Sequence, residues 1–461
     1  MKKIVALISL LAVVVSKPMA QTADQNANQT TKCVLQYLSG LSAKSTKKVL
    51  SGQWMNNRGL PETPMTEFDT SITTLYNQTN KWVGIIGTNY TRTHSVPYYI
   101  AIENMQKVNQ PLINYFKNNG LVAVMTNFKN PWNQTNSGDL TNSSNLLDVV
   151  TPGHPANISF TKELDSLAKG FKQLQDSGVT VLFRPFHEMN GNWFWWGSKS
   201  STLPTNNDFT SLWQYTFNYL TTTKNLHNIL WMYAPSAKET GVANPSFKTE
   251  LFYYPGTNYV DVIGLDIYND SLDIPNYNAI VATNKPIGLA EFGMSKPSVP
   301  IAAHAYDYTK LINNIKNKYP AICFWLSWNH FKNSSNNWFF YSLATQNNVS
   351  NLISDPWTSN RDDIDYSACL SSAIEENSFL DESISIYPNP FSSQLTIRST
   401  LPLNNATLTL NNYLGQKVIE LSKINEQTLD LSRNNLPPGI YLLQLFEGKK
   451  LISKNKVIIS N

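Results

Sequence analysis

Eight short apolar runs between residues 49 and 357 restrict the fold of this chain more than any other feature of its sequence. They alternate with longer segments of helical period, such as residues 160–178, where apolar residues recur every three or four positions up to Gly178. Strands that are buried on both faces have this continuous apolar character. Eight such strand–helix units predict an α/β chain folded as a (β/α)8 TIM barrel. The runs span residues 49–54, 82–90, 120–128, 178–186, 228–235, 260–268, 286–293 and 321–329.

The C-terminal part of the chain has a different pattern. Residues 384–461 contain seven short stretches, several with alternating polarity, separated by turn signals such as Pro388-Asn389-Pro390. This pattern predicts a small all-β, sandwich-like domain. Residues 371–383 are polar and acidic and predict a linker, which leaves residues 33–370 as the barrel domain. All 12 tryptophans lie between Trp54 and Trp357, so we expect aromatic binding surfaces in the barrel and not in the tail.

The first 20 residues have the three parts of a secretory signal peptide: two lysines, an apolar stretch from Ile4 to Val15, and small residues that end at Ala20. No other stretch is long and apolar enough to span a membrane. The 36 basic residues nearly balance the 32 acidic ones and form no long basic run, which argues against nucleic acid as a partner. We therefore expect an exported monomer without a membrane span.

The three cysteines have none of the paired spacing that holds zinc. Cys323 lies in an apolar run and is expected to be a buried free thiol. Cys33 and Cys369 flank the barrel domain, and the first and eighth strands of a closed barrel are neighbours, so these two residues can be bridged in an oxidising compartment. Two free thiols at frayed ends are the alternative.

Polar side chains collect where the predicted strands end, which in a (β/α)8 barrel is the face that carries the active site. Glu188 follows the fourth run and Glu291 lies at the end of the seventh. Paired carboxylates in this position suit the hydrolysis of glycosidic bonds, in which one protonates the leaving oxygen and the other attacks or activates water. The alternative for either glutamate alone is a salt-bridged strand end. The same edge is expected to carry Asn127, Arg184, His187, Asp266, Tyr268 and Trp328.

Aromatic side chains next to Glu188 support carbohydrate as the substrate. Trp193, Trp195 and Trp196 are too bulky and too close in sequence to all face one core, and indole faces stack on the apolar faces of sugar rings. The six histidines include no pair at metal-ligand spacing, so we expect neither a metal nor a cofactor. A non-catalytic polysaccharide-binding surface protein is the alternative from another class, since the same tryptophans would serve it. The side chains expected to form hydrogen bonds with sugar hydroxyls are His187, Asn190, Asn127, Asp266 and Tyr268. Alternatively, His187 does not touch substrate and is hydrogen-bonded behind the residues that do.

The string "RPFHEMNGNWFWWG" at residues 184–197, followed by "GLAEFG" at residues 288–293, resembles glycoside hydrolase family 26. The best-known members of that family are endo-β-1,4-mannanases, which are retaining (β/α)8 enzymes. The resemblance covers roughly residues 33–365 and implies that Glu188 is the general acid/base and Glu291 the nucleophile. It implies hydrolysis of mannan, glucomannan or galactomannan by double displacement.

Other site residues follow from the same resemblance. It implies that His187 contacts substrate, that Trp193 is the aromatic residue near the cleaved bond, and that Trp328 forms the floor beneath the distorted sugar. In "GLDIY", it implies a pair, Asp266 and Tyr268, whose tyrosine touches the nucleophile. A supporting role beside the carboxylates is implied for Arg184. Independently of the resemblance, the residue types predict that Trp196 binds substrate as an aromatic plate and Asn190 through hydrogen bonds.

The segment "MTNFKNP" departs from the family pattern, because Asn127 stands where many members have a histidine. This change removes a sugar contact and leaves the choice of plant or algal polysaccharide open. The family also contains β-1,3-xylanases, mixed-linkage β-glucanases and mannobiose-releasing exo-enzymes, and these remain alternatives.

The tail has a resemblance of its own. Its segments "SIYPNPFSSQLTI" and "LPPGIYLLQL" are similar to the type A C-terminal sorting domains of Bacteroidetes proteins. That similarity implies the type IX secretion machinery as a partner and a secreted or cell-surface location. A sugar-binding module is the alternative.

Overall fold

The computed structural model divides the chain into two compact units, with the boundary between Leu370 and Ser371. Apart from Ala20, Ser371 and Ser372, the predicted signal peptide and linker lie outside the described residues. The described ranges are 20–42, 47–55, 64–90, 102–197, 204–237, 246–295, 306–332, 338–372, 384–412, 416–448 and 450–460.

The first unit is a closed barrel of eight parallel strands, as the sequence predicts. Consecutive strands pair along the chain, and the eighth strand pairs with both the seventh, through Ile287 and Ile322, and the first, through Gln53 and Ser327. The strands are β1 (Val49–Leu50 continued by Gly52–Trp54), β2 (Ile85–Asn89), β3 (Leu121–Met125), β4 (Val181–Arg184), β5 (Ile229–Tyr233), β6 (Val262–Tyr268), β7 (Ile287–Gly293) and β8 (Ile322–Ser327).

The barrel strands are buried on both faces, which explains their continuous apolar sequences. Helices cover the outside of the barrel. They are α1 (Gln29–Leu41), α2 (Pro64–Phe68), α3 (Thr74–Thr79), α4 (Ile102–Lys117), α5 (Leu146–Val150), α6 (Pro155–Asp176), α7 (Asn206–Asn218), α8 (Tyr277–Val281), α9 (Thr309–Lys318), α10 (Val349–Ile353) and α11 (Ser367–Ser372). Single π turns cover Asp69–Thr73 and Tyr219–Thr223, and 3-10 turns cover Thr257–Tyr259, Leu343–Thr345 and Arg361–Asp363.

Helix α6 shows how local sequence sets these elements. His154 caps its N-terminus by accepting a hydrogen bond from the amide of Ala156, and Pro155 stands at the first helical position, where its missing N–H costs nothing. The helix ends before Gly178, whose φ of +76° reverses the chain into β4. Between these ends the helix buries the apolar stripe that the sequence predicts, formed by Phe160, Leu164, Leu167, Phe171 and Leu174.

A disulfide joins α1 to α11 and confirms the bridge between Cys33 and Cys369. Their Cα atoms are 5.5 Å apart, and the bond spans 336 residues of sequence. Cys323 is a buried free cysteine, also as predicted. A short strand, β11 (Thr358–Ser359), adds to β1 in the same region, so both ends of the barrel domain are attached beside the first strand. A separate hairpin consists of β9 (Phe331–Lys332) and β10 (Trp338–Phe339).

The second unit has two antiparallel sheets with one core, which confirms the predicted sandwich-like domain. One sheet has the order β12–β13–β16 and the other β15–β14–β17–β18. These strands are β12 (Ile384–Tyr387), β13 (Gln394–Ser399), β14 (Ala406–Asn411), β15 (Lys417–Ile424), β16 (Thr428–Ser432), β17 (Gly439–Glu447) and β18 (Lys450–Ile459). Across the described residues of both units, we find no helix with the length and apolarity needed to cross a membrane.

Candidate active site

Three acidic side chains meet at the carboxyl ends of the barrel strands. Glu188 lies in the turn after β4, Asp266 on β6 and Glu291 on β7. One carboxylate oxygen from each lies within 4.8 Å of the others. The sequence predicts that Glu188 and Glu291 share this edge, and in the structure their carboxyl groups are neighbours there.

Arg184, the last residue of β4, neutralises part of this negative charge. Its Nη1 donates to Asp266 Oδ1 at 2.5 Å, its Nη2 donates to Glu291 Oε1, and its guanidinium lies 5.1 Å from the ring of Trp54. Arg184 and Asp266 are almost completely buried, and Asp266 Oδ2 has no hydrogen-bond partner among the described residues, so their predicted contacts with substrate stay predictions. Within the described residues, this acidic cluster is the group whose spacing would suit a metal ion. Because Arg184 already donates to two of its members, the arrangement is a buried ion-pair network.

Glu291 is held by donors on both of its oxygens. Arg184 bonds Oε1, and the hydroxyl of Tyr268 donates to Oε2. Burial and the nearby charge of Glu291 raise the pKa of Tyr268 well above its ordinary value, so the hydroxyl remains a donor at neutral pH. This is the environment that a carboxylate nucleophile requires, because its orientation is fixed before substrate arrives.

Glu188 has a contrasting environment. Burial and the negative charge of Glu291 raise its pKa to about 7, against the opposing effects of Trp193 and Arg184. The indole N–H of Trp193 donates to Glu188 Oε2 at 2.6 Å. A carboxyl group with a pKa near neutrality can hold a proton and transfer it, which is the property of a general acid.

The backbone of Glu188 is left-handed, with a φ of +52°, an unusual conformation for a residue other than glycine. Its amide donates to the carbonyl of Ala234, at the end of the neighbouring strand, at 2.7 Å. The turn thus points this side chain at the carboxylate cluster at the expense of local backbone strain.

His187 is buried beneath the turn. Burial and the charge of Arg184 lower its pKa well below the ordinary value, so its ring is neutral at pH 7. Its ring packs against Phe194 at 4.6 Å, and its Nδ1 has no hydrogen-bond partner among the described residues. A neutral ring with an unsatisfied nitrogen suits the predicted contact with a sugar hydroxyl, and that contact stays a prediction.

The three neighbouring tryptophans do not share one role. Trp193 is half-buried beside Glu188, whereas Trp195 and Trp196 are both 0% exposed. The indole N–H of Trp195 donates to the carbonyl of Phe128, and that of Trp196 to the carbonyl of His187, each at 2.9 Å. The prediction that Trp196 stacks on substrate is therefore wrong, because its ring is buried. The prediction that the three do not all face one core is confirmed, since Trp195 and Trp196 belong to the core and Trp193 does not.

Asn190 is also completely buried and does not face a sugar. Its Nδ2 donates to the carbonyls of Ser236 and Lys248 at 2.8 and 3.0 Å, and its Oδ1 accepts from the amide of Ser236 at 2.9 Å. Its backbone carbonyl accepts from the amide of Lys248 at 2.9 Å. In place of the predicted substrate contact, Asn190 makes these four hydrogen bonds, called here the Asn190 clamp, which join the turn carrying Glu188 to the segment after β5.

The remaining predicted residues lie at the same edge of the barrel. Trp328 follows β8, is 8% exposed, and its ring centroid is 5.3 Å from that of Trp54. Asn127 follows β3 and is half-buried. Their predicted contacts with sugar stay predictions.

Two further aromatic residues support the site: Trp54, which the sequence places at the end of the first strand without assigning it a role, and Tyr341, which sequence reasoning missed. Trp54 packs against both Arg184 and Trp328 and donates its indole N–H to the carbonyl of Ala290 at 2.8 Å. Its position at the end of β1 was the signal that could have identified it. Tyr341 packs edge-on against Tyr268 at 5.2 Å, and no periodic pattern in its irregular segment marks it.

Two family models match this chain. The family model described as Glycosyl hydrolase family 26 matches residues 23–363. The model described as Secretion system C-terminal sorting domain matches residues 385–460.

Individual relatives match the barrel domain. A mannan endo-1,4-β-mannosidase of Bacillus subtilis strain 168 is 33% identical over 368 residues, covering 77% of this chain and 93% of that protein. The mannan endo-1,4-β-mannosidase A and B of Caldalkalibacillus mannanilyticus is 32% identical over 75% of this chain, which spans 64% of that relative. The solved structure of a Bacillus subtilis mannanase has a TM-score of 0.62 and 28% identity, and the match covers 74% of this chain and 95% of that one.

Proposed function

This chain belongs to glycosyl hydrolase family 26, and we propose that it is an endo-acting β-mannanase that cleaves β-1,4-mannosidic bonds with retention of configuration. The observation that carries the proposal is the pair formed by Glu188 and Glu291, with carboxylate oxygens within 4.8 Å of each other. Retaining enzymes hold their carboxyl groups about 5–5.5 Å apart, whereas inverting enzymes need a wider gap for water.

In the first step, Glu291 attacks the anomeric carbon while Glu188 gives its proton to the leaving oxygen. A bond forms between a Glu291 oxygen and the anomeric carbon, and the glycosidic bond breaks with its electron pair on the protonated oxygen. Arg184 and Tyr268 keep Glu291 oriented for this attack.

In the second step, Glu188 removes a proton from water, which then displaces Glu291 from the anomeric carbon. Once Glu291 is esterified its negative charge is gone, and that charge is one of the causes of the raised pKa of Glu188. The pKa of Glu188 therefore falls, and its carboxyl group is ionised at the stage when it must accept a proton from water. This change is what double displacement requires.

The names of the relatives support mannan as the substrate class, and we include glucomannan and galactomannan in the proposal because they contain the same β-1,4-mannosidic bonds. Asn127, in place of the histidine common in the family, keeps β-1,3-xylan and mixed-linkage glucan as alternatives. Release of reducing ends from mannan, galactomannan, β-1,3-xylan, lichenan and carboxymethylcellulose measures the choice directly. We expect the fastest release from mannan-type polymers with a broad range of early products; mannobiose alone would indicate exo action. Binding without release from any polymer would favour a non-catalytic surface protein.

The roles of the two glutamates are tested with azide and an activated aryl β-mannobioside. Glu188→Ala should still form the glycosyl-enzyme, because a good leaving group needs no acid, and azide should then yield a β-glycosyl azide. Glu291→Ala should lose turnover, and any azide product should have the α configuration. Glu420→Ala, at an exposed position of the tail, is the matched control and should behave as wild type. A β-azide from Glu291→Ala would reverse the assignment.

The tail carries the sorting domain of a secretion system, which places the enzyme at the cell surface or outside the cell. We further propose that the enzyme acts as a monomer, because one chain supplies all the carboxylates of the site. Light scattering of the purified protein measures this directly.

A further inference from the structure

Phe247 lies on the segment that follows β5. Its side chain is half-buried, and its ring centroid is 5.7 Å from that of Trp193, with 49° between the ring planes. Trp193 is in turn bonded to Glu188. The two rings therefore form an aromatic surface of two adjacent, mutually tilted faces that begins at the general acid.

The position of this surface is fixed by Asn190. As described above, Asn190 joins the turn after β4 to Ser236 and to Lys248, the residue next to Phe247. Its side chain is completely buried and both ends of its amide are bonded. Phe247 is thus held in register with Glu188 by the Asn190 clamp, which solvent does not reach.

The barrel geometry indicates which sugars meet this surface. In a closed ring of eight strands, β4 faces β8 and β5 faces β1. Glu291 and Trp328 lie at the ends of β7 and β8, so the sugar that is attacked lies on that side of the site. Glu188 protonates the oxygen of the leaving sugar, and this sugar therefore extends toward β4 and β5.

The family resemblance already implies that Trp193 lies near the cleaved bond; we propose that Phe247 extends this aromatic surface to the leaving-group sugars and sets how strongly the enzyme selects a polymeric leaving group. This inference rests on the proposed glycoside hydrolase function. Apolar sugar faces need a flat partner of this kind, and binding energy from such remote contacts is used to orient the reacting bond.

The test compares Phe247→Ala with wild type on two substrates that share the attacked sugars and differ in the leaving group. One is a β-1,4-manno-oligosaccharide and the other is 2,4-dinitrophenyl β-mannobioside. We expect kcat/KM to fall about five- to tenfold on the oligosaccharide and to change by less than about twofold on the aryl substrate. Phe247→Tyr should keep the wild-type values on both substrates, because it retains the ring face.

Phe252→Ala is the matched control, since Phe252 is an exposed phenylalanine a few residues further along and is expected to change neither value. An equal loss on both substrates would mean that Phe247 only maintains the fold and would overturn the proposal. No loss on the oligosaccharide would overturn it as well.

The test of Phe247 does not depend on which polysaccharide the wild-type enzyme prefers. If wild type prefers a different β-glycan, the comparison is made with the oligosaccharide and aryl glycoside of that glycan. The same split between leaving groups would then support the role of Phe247 while overturning the mannan assignment. A wild-type enzyme that hydrolyses none of the glycosides would overturn both.

Discussion

Removing the hydrogen bond between Trp193 and Glu188 should move the alkaline limb of the pH–rate profile. Glu188 must be protonated to act as the acid, so kcat/KM should fall as pH rises through its pKa of about 7. The indole N–H, 2.6 Å from Glu188 Oε2, favours the ionised form and thereby lowers this pKa. Trp193→Phe removes the donor and keeps an aromatic ring in its place.

The size of the shift follows from the strength of the bond. A hydrogen bond to a charged group contributes about 1.5–3 kcal/mol, part of which the neutral acid also feels. One pKa unit corresponds to about 1.4 kcal/mol, so the pKa should rise by roughly one unit, to near 8. At pH 9 the protonated fraction of Glu188 would then rise from about 1% to about 9%.

The assay is kcat/KM on a soluble manno-oligosaccharide, measured well below KM from pH 5 to pH 9.5 at constant ionic strength. Because Trp193 is also expected to touch substrate, the height of the profile should drop at every pH, and the informative quantity is the position of the limb. Trp357→Phe, next to β11 at the opposite end of the barrel, is the control and should leave the limb unmoved. A limb that stays in place or moves to lower pH in Trp193→Phe would refute the reasoning, as would an equally steep limb on the dinitrophenyl substrate, which needs no acid.

Four other outcomes are expected. The double variant Cys33→Ser, Cys369→Ser should lower the free energy of unfolding by about 2–5 kcal/mol in thermal or urea unfolding; the chain-entropy relation gives an upper value of about 6 kcal/mol for so long a loop. Thiol titration of the denatured wild type should find only Cys323. Because the pKa of Glu188 is raised in the folded state, wild type loses stability as pH rises from about 4.5 to about 7. In urea unfolding, Glu188→Gln should therefore have a free energy of unfolding about 1–3 kcal/mol above that of wild type at pH values above 7, and no such advantage below pH 4. Gly293→Ala would place a Cβ 2.5 Å from the ring of Tyr341 and 2.8 Å from that of Tyr268. The displaced Tyr268 would lose its hydrogen bond to Glu291, so kcat should fall at least about tenfold while the circular dichroism spectrum stays unchanged. A chain ending at Ser372 should keep its kcat/KM on soluble substrate and lose export; a large loss of activity would show that the tail contributes to catalysis.

The fold was predictable because burial dictates composition along a barrel strand. Each strand has two neighbours in the ring and is covered on both faces, so each became a continuous apolar run that ends in polar residues at one edge. Glu188 and Glu291 could be identified for the same reason, since each follows such a run.

The side-chain directions in the turn after β4 could not be read in this way. The left-handed conformation of Glu188 interrupts any regular period, so nothing in the sequence indicates that Trp195 and Trp196 point inward while Trp193 points to the site. The burial of Asn190 was equally unpredictable, because amide side chains are mostly exposed and its partners lie on another segment. Phe247 and Tyr341 come from irregular segments, where position in the chain carries no information about position in space.

The disulfide between α1 and α11 also determines how the barrel bears mechanical load. Cys369 lies near the end of α11, just before the residues that lead to the tail. A force applied through the tail therefore reaches a covalent bond almost at once and passes into α1, whose buried face packs against the barrel. Without the bridge, the same force would peel α11 and then β11 away from β1 by breaking their hydrogen bonds in sequence. A load applied through the tail is thus transferred to α1 by the disulfide, beside the first strand of the barrel.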